Sequence, residues 1–445
     1  MNLRFGTDGI RGRAFDELTE LGVEALGAAA AVVFAPERFY VGRDTRESGP
    51  VLARALHTGL ASGGAEVVDL GVAPTPAVAW LAAADGVPGA VISASHNPFQ
   101  DNGVKLFGPD GRKLADAQQD AVQAQLDHPL SATARPHNPA RVREGAALVE
   151  RYVDAVIASL EGRTLAGMTL VIDCANGANS AVAPDALRAL GAEVEVIFAA
   201  PDGRNINERC GSTHPEALQQ AVRHHGADAG LAFDGDADRV LAVGADGTLV
   251  DGDQILAICA IDRAARGVLR HNTVVVTVMT NLGFRLAMRE RGISVVQTAV
   301  GDRYVLEALE AGGYTLGGEQ SGHVIFRDLA TTGDGLLTGV QLLDAVARSG
   351  RSLAALAAEA MHRLPQVLRN VRVERVDPSL VDRLRPDTER VEARLGVTGR
   401  VLVRASGTEP LIRVMVEAES AVVASAAADE LAAAVGRLAR STPMS

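Results

Sequence analysis

The sequence predicts an α/β protein built from three tandem repeats of a mixed α/β/α sandwich, followed by a smaller C-terminal α+β domain. Three observations carry this. A strand, helix, strand, strand order recurs three times. Each third strand runs into a polar loop of unusual composition. Beyond Pro365 the alternation gives way to NVRVERV, a long charged helix, a strand pair broken by a polar loop, and a final Ala-rich helix.

The first strands of the repeats are RFYVGRDT (38–45), MTLVIDCA (168–175) and TVVVTVMT (273–280). The second strands, each opened by a glycine suited to end the preceding helix, are GAEVVDLG (64–71), GAEVEVIF (191–198) and GISVVQTA (292–299). The third strands lead into SASHNP, DGDADR and GGEQSGH. Alternating strands and helices imply mostly parallel sheets, whose ligands gather beyond the carboxyl ends of strands. Three polar loops at equivalent ends therefore point to one shared site around a cleft. The expected domains are 1–150, 151–253, 254–365 and 366–445, consistent with 445 residues at roughly 100–200 residues per domain.

Composition narrows the function classes. A hydrophobic content of 47% with 22% charged residues is that of a globular protein, and a net charge of −12 argues against a nucleic-acid surface. The N-terminal segment lacks the apolar core of a signal peptide, and the apolar run from Leu21 to Ala35 is interrupted by Glu24 and too short to span a bilayer, so a cytoplasmic protein without membrane association is expected. Cys174, Cys210 and Cys259 fit neither a disulfide framework nor a zinc ribbon and are read as buried thiols.

The loops carry the chemistry. DGDADR gathers Asp234, Asp236 and Asp238; carboxylates about 4 Å apart repel by about 4 kcal/mol per pair at an effective dielectric near 20, so the loop calls for a cation. An all-oxygen ligand set points to Mg²⁺. A calcium loop would need glycine and glutamate where Arg239 and Ala245 stand. In SASHNP, a Ser95–His96 nucleophile and base pair is disfavoured because adjacent residues of an extended chain point to opposite sides. A capped turn or a phosphoryl-carrying serine beside the metal loop remain, with Lys105 available for proton transfer or charge stabilisation. RASGTEP (404–410), with Arg413, offers guanidinium, hydroxyl and backbone donors to a phosphate monoester, against the alternative of a plain Ser-Gly turn. GGEQSGH offers Glu319 and Ser321 to sugar hydroxyls and His323 as an acid or base.

These loops, with FGTDGIRG (5–12) and VGDRYV (300–305), resemble the α-D-phosphohexomutase family over essentially the whole chain and in the same order. The resemblance implies four domains around a central cleft. It implies a phosphoserine at Ser95, not Ser93, with His96 beside it, and Mg²⁺ held by Asp234, Asp236, Asp238 and the Ser95 phosphate. Arg239 is implied at the reacting phosphoryl group, and Arg11, Lys105 and His323 at the catalytic centre. Glu319 and Ser321 are implied in sugar recognition, and Arg404, Ser406, Gly407, Thr408 and Arg413 at the resting phosphate. The motif set is most similar to members that convert glucosamine 6-phosphate to glucosamine 1-phosphate through a 1,6-bisphosphate, on the route to UDP-N-acetylglucosamine, and Gln320 favours that substrate. Glucose or mannose phosphates are the alternatives within the family, and an inactive sugar-phosphate-binding protein is the alternative outside enzymes. The implied partners are a small sugar phosphate and, compatibly with the family, a second copy of the chain as a homodimer.

Overall fold

The structure is a computed structural model, and it describes residues 3–6, 8–128, 142–373, 379–405 and 410–440. The chain divides into two compact units, one of Met1–Met279 with Ile293–Ala360 and one of Thr280–Gly292 with Met361–Ser445.

The first unit holds three sheets of one design. In each, the first strand of the repeat lies centrally and pairs in parallel with the second and third. Arg38–Arg43 lies between Glu66–Val72 and Gly89–Ile92, Thr169–Asp173 between Glu193–Ile197 and Ala229–Phe233, and Thr273–Thr277 between Ser294–Thr298 and Leu316–Gly318. Strands covered on both faces read as unbroken apolar runs: Gly89–Ile92 and Ala229–Phe233 are buried at every position. The edge strand Glu193–Ile197 alternates because one face meets water. Gly64, Gly191 and Gly292, which open the second strands, all have left-handed φ, as the helix-ending reading requires.

Each third strand then turns back as a hairpin. Gly89–Ile92 pairs antiparallel with Asp101–Phe107, Ala229–Phe233 with Val240–Gly244, and Leu316–Gly318 with Val324–Phe326. The three polar loops are the hairpin connections, and each is anchored by a strand on both sides. In the first sheet an N-terminal strand, Ile10–Arg13, adds to Asp101–Phe107 and brings Arg11 opposite Gly103.

The second unit contains a three-stranded antiparallel sheet in the order Gln366–Arg372, Leu411–Glu417, Arg400–Ala405. Ile412, Val414 and Val416 bury one face against Val391, Leu431 and Val435 of two helices. Glu417 is buried on the other face, where it accepts from Asn281 Nδ2 at 3.1 Å and Leu282 N at 3.0 Å and pairs with Arg400 at 2.8 Å. All three cysteines are buried and free, and no helix among the described residues is long and apolar enough to cross a membrane.

Candidate active site

The first hairpin loop presents Ser95 in a left-handed conformation, φ 53°. Its Oγ donates to Asp234 Oδ2 at 2.6 Å, and its N–H donates to Ser93 Oγ at 2.9 Å. Ser93 in turn donates to Asp44 Oδ2 at 2.6 Å, so it is a buried strut of the loop. The backbone at Ser95 is not extended, so side chains 95 and 96 do not alternate as expected. The left-handed turn at Ser95 brings His96 Nδ1 within 3.3 Å of Ser95 Oγ, although Asp234 is the closer acceptor. Burial, with Arg239 and Arg11, lowers the His96 pKa to about 4, so this imidazole is neutral near pH 7.

The second hairpin loop sets Asp234, Asp236 and Asp238 with carboxylate oxygens all within 4.8 Å of one another, and all three residues are buried. Gly235 lets this loop lie against the first: a Cβ there would stand 2.7 Å from the Ser95 carbonyl oxygen. Asp236 Oδ2 accepts from Thr75 Oγ1 and Lys105 Nζ, both at 2.7 Å, and Lys105 also reaches Asp238 Oδ2 at 3.2 Å and Asp8 Oδ2 at 3.3 Å. Burial works against the Lys105 ammonium, but Asp236, Asp238 and Asp8 outweigh it and raise its pKa well above the ordinary value. Lys105 is therefore a fixed cation. Burial, then repulsion from Asp238 and Asp236, raises the Asp234 carboxyl well above its usual range. For Asp238 the burial cost is overcome by Lys105 and His323, which hold it well below that range.

Buried polar atoms normally find partners. Asp236 Oδ1 and Asp238 Oδ1 are buried without a hydrogen bond, and the nearest cationic groups to the latter, Arg239 Nε and His323 Nδ1, stand 3.7 Å away. Two orphaned carboxylate oxygens beside a third carboxylate fit a hard divalent cation, which would let all three aspartates ionise together.

The third hairpin loop is bolted to the second. Val240 N donates to Gly322 O at 3.1 Å, and a Cβ on Gly322, at φ +88°, would meet Val240 O at 2.1 Å. Its His323 accepts from Gly333 N–H through Nε2 at 3.1 Å, which leaves a proton on Nδ1 toward Asp238. Burial would lower the His323 pKa, but Asp238 and Asp302 together raise it. Glu319 Oε1 accepts from Gly301 N at 3.1 Å, and Ser321 Oγ is buried without a hydrogen bond.

Beside the triad opens a cleft of about 410 Å³ whose wall includes Asp8, Arg11, Asp238, Arg239, Glu319 and His323. Of the residues named from sequence, Ser95, His96, the three aspartates, Lys105, Arg11, Arg239, Glu319 and His323 are thus assembled within the first unit. Ser95, His96, Lys105, Asp234, Asp236 and Ser321 are absent from the cleft wall; Ser95 joins the triad through Asp234, and Lys105 through Asp236 and Asp238. Arg404 and Arg413 face each other across adjacent strands of the second unit. Ser406, Gly407 and Thr408 lie outside the described residues.

Sequence reasoning passed over three groups. Asp8 pairs with Arg11, Lys105 and Lys113; it sits inside the FGTDGIRG motif, which offered a signal. Asp302 accepts from Lys113 and lies 3.6 Å from His323 Nε2, and VGDRYV contained it. Lys113 itself follows no motif.

Four family models match the chain: phosphoglucomutase/phosphomannomutase alpha/beta/alpha domain I over residues 2–132, domain II over 150–247, domain III over 251–364, and the C-terminal domain over 368–434. The phosphoglucosamine mutase of Thermobifida fusca is 52% identical over 442 residues, covering 97% of this chain and 98% of that one. Among solved structures, a phosphoglucomutase/phosphomannomutase family protein from Burkholderia thailandensis superposes with a TM-score of 0.82 at 27% identity, covering 98% of both chains. The Aspergillus fumigatus N-acetylphosphoglucosamine mutase, solved with GlcNAc-6P and magnesium, shares the fold with a TM-score of 0.70 at 19% identity, covering 98% of this chain and 96% of that one. The chain belongs to the phosphoglucomutase/phosphomannomutase family.

Proposed function

We propose that this chain interconverts glucosamine 6-phosphate and glucosamine 1-phosphate by carrying a phosphoryl group on Ser95. The observation that carries the reading is the placement of Ser95 Oγ 2.6 Å from Asp234, at the edge of the buried carboxylate triad, in a chain 52% identical to a phosphoglucosamine mutase. The partition into four domains with boundaries near 150, 253 and 365 is part of the same reading.

In the first half-reaction the free hydroxyl oxygen of the sugar monophosphate bonds to phosphorus as the Ser95 Oγ–P bond breaks, giving a 1,6-bisphosphate. In the second, Ser95 Oγ takes the other phosphoryl group, and the hydroxyl proton released in the first half is returned to the sugar oxygen. Asp234, Asp236 and Asp238 would hold one Mg²⁺, which when bound neutralises charge on the transferring group. Lys105, kept protonated by three carboxylates, and Arg239 and Arg11 in the cleft supply fixed positive charge to the phosphoryl oxygens. His323, the residue of the cleft wall whose ordinary pKa lies nearest neutrality, is assigned to proton transfer. Glu319 and Ser321 hold sugar hydroxyls, and Arg404, Ser406, Gly407, Thr408 and Arg413 hold the phosphate that is not reacting.

Coupled assays with glucosamine, glucose and mannose 6-phosphates test the reading. Glucosamine 6-phosphate should give the highest kcat/KM, and Ser95→Ala should abolish turnover. Faster turnover of mannose or glucose 6-phosphate would move the substrate assignment within the family.

A further inference from the structure

A second arginine of the first repeat, outside every motif discussed so far, is buried directly beneath the Ser95 loop. Arg46 is fully enclosed, and each of its guanidinium nitrogens is used. Nε donates to Asp44 Oδ2 at 2.8 Å, Nη2 to the carbonyls of Ser95 and Asn97 at 2.9 Å each, and Nη1 to the carbonyls of Pro98 and Asp101. One planar fork thus gathers three carbonyls of the hairpin loop and that of Asp101, the first residue of the returning strand. A lysine, with three donors on one nitrogen, cannot reproduce that span.

The same unit grips the loop from the other side. Asp44 Oδ2 receives Arg46 Nε and Ser93 Oγ, and Ser93 Oγ receives the Ser95 N–H. Ser95 is consequently held through both its carbonyl and its N–H, in a left-handed conformation that side chains other than glycine rarely adopt. That conformation turns Oγ toward Asp234. In extended backbone the side chain would point elsewhere.

We propose that Arg46, acting with Asp44 and Ser93, is a positioning residue for phosphoryl transfer: it fixes the backbone of Ser95 so that Oγ stands at the carboxylate triad. It touches neither substrate nor reacting atoms. The inference rests on the reading of Ser95 as the phosphoryl carrier. Because a displacement near 1 Å costs about a hundredfold in rate, the loss should fall on kcat and on Ser95 phosphorylation while sugar-phosphate binding, made by other loops, persists.

The test uses full-length wild type, Arg46→Lys and Ser93→Ala. Each is checked for thermal midpoint, for the rate at which residue 95 gains phosphate from saturating glucose 1,6-bisphosphate, and for kcat and KM with glucosamine 6-phosphate. Arg46→Lys should lose about a hundredfold in kcat and in phosphorylation rate with KM within about threefold. Ser93→Ala, which removes one hydrogen bond to the Ser95 N–H and little volume, should lose about tenfold. A folded Arg46→Lys within twofold of wild type, or a loss confined to KM, overturns the proposal. If Arg46→Lys does not fold, Ser93→Ala decides in the same way. Wild type that turns over without ever acquiring phosphate on residue 95 removes instead the reading of Ser95 on which the proposal stands.

Discussion

Replacing Asp236 with asparagine tests the carboxylate triad where its geometry is most exposed to challenge. Asp236 uses Oδ2 for Thr75 and Lys105, both at 2.7 Å, and leaves Oδ1 buried without a hydrogen bond. An asparagine that keeps its carbonyl toward Thr75 and Lys105 must turn its NH₂ into the orphaned position, so a donor replaces an acceptor and the triad falls from three formal negative charges to two. A unit charge pair at about 4 Å is worth about 4 kcal/mol at an effective dielectric near 20, and a divalent cation doubles that. If rearrangement and solvent recover even half, about 4 kcal/mol of cation affinity is lost, nearly a thousandfold. The Mg²⁺ concentration for half-maximal activity should therefore rise at least a hundredfold. Direct Mn²⁺ binding to the protein without substrate, read by electron paramagnetic resonance, should weaken in parallel. Relief of repulsion on Asp234 and loss of one Lys105 partner oppose each other, so the thermal midpoint without metal should change little. Unchanged metal affinity in a folded Asp236→Asn would refute the assignment of the triad as a cation site.

Other perturbations have equally definite outcomes. Lys105→Met leaves Asp8, Asp236 and Asp238 without their shared cation; removing one partner of a buried ion pair costs about 3–5 kcal/mol, so the metal-free thermal midpoint should fall and saturating Mg²⁺ should restore part of it, as differential scanning calorimetry would show. Arg413→Ala, by losing a charge-assisted contact of about 1.5–3 kcal/mol, should lower kcat/KM by about tenfold to a hundredfold, and should slow Ser95 phosphorylation by the bisphosphate as well. Burial pushes the Asp173 carboxyl up to about 6 despite hydrogen bonds from Gly211 and Ala175. Its folded form binds the proton more tightly than its unfolded form, so between pH 4 and 6 the folded state carries the extra proton and stability falls as pH rises. Relative to Asp173→Asn, wild type should lose about 3 kcal/mol over that window, with a constant difference above pH 7, measured by denaturant titration.

The parts of the site written in contiguous residues were readable from the chain. Asp234, Asp236 and Asp238 lie within five positions, and their repulsion implies a cation before any coordinates are known. The parallel cores were readable because Ala229–Phe233 is apolar throughout and the Thr273–Thr277 strand carries three consecutive valines, at positions that are all buried. The hairpin partners were harder to see: Val324–Phe326 is three residues long, too short to display a period. Arg46 reads as one more solvent-facing charge in GRDTRESG, since nothing local reveals that four carbonyls some fifty residues later converge on it. The relation between Ser95 and His96 was misjudged for a definable reason, because alternation of side chains belongs to extended backbone and Ser95 has left that region.

During turnover the phosphoryl group in transit should reside on Ser95. Rapid-quench turnover of ³²P-labelled glucosamine 6-phosphate by wild-type protein, followed by peptide mapping, measures this directly. An acid-stable label should appear on Ser95 within the first turnovers and chase into product and bisphosphate on addition of unlabelled substrate. Label on Ser93, or steady turnover with no label on the chain, would contradict it.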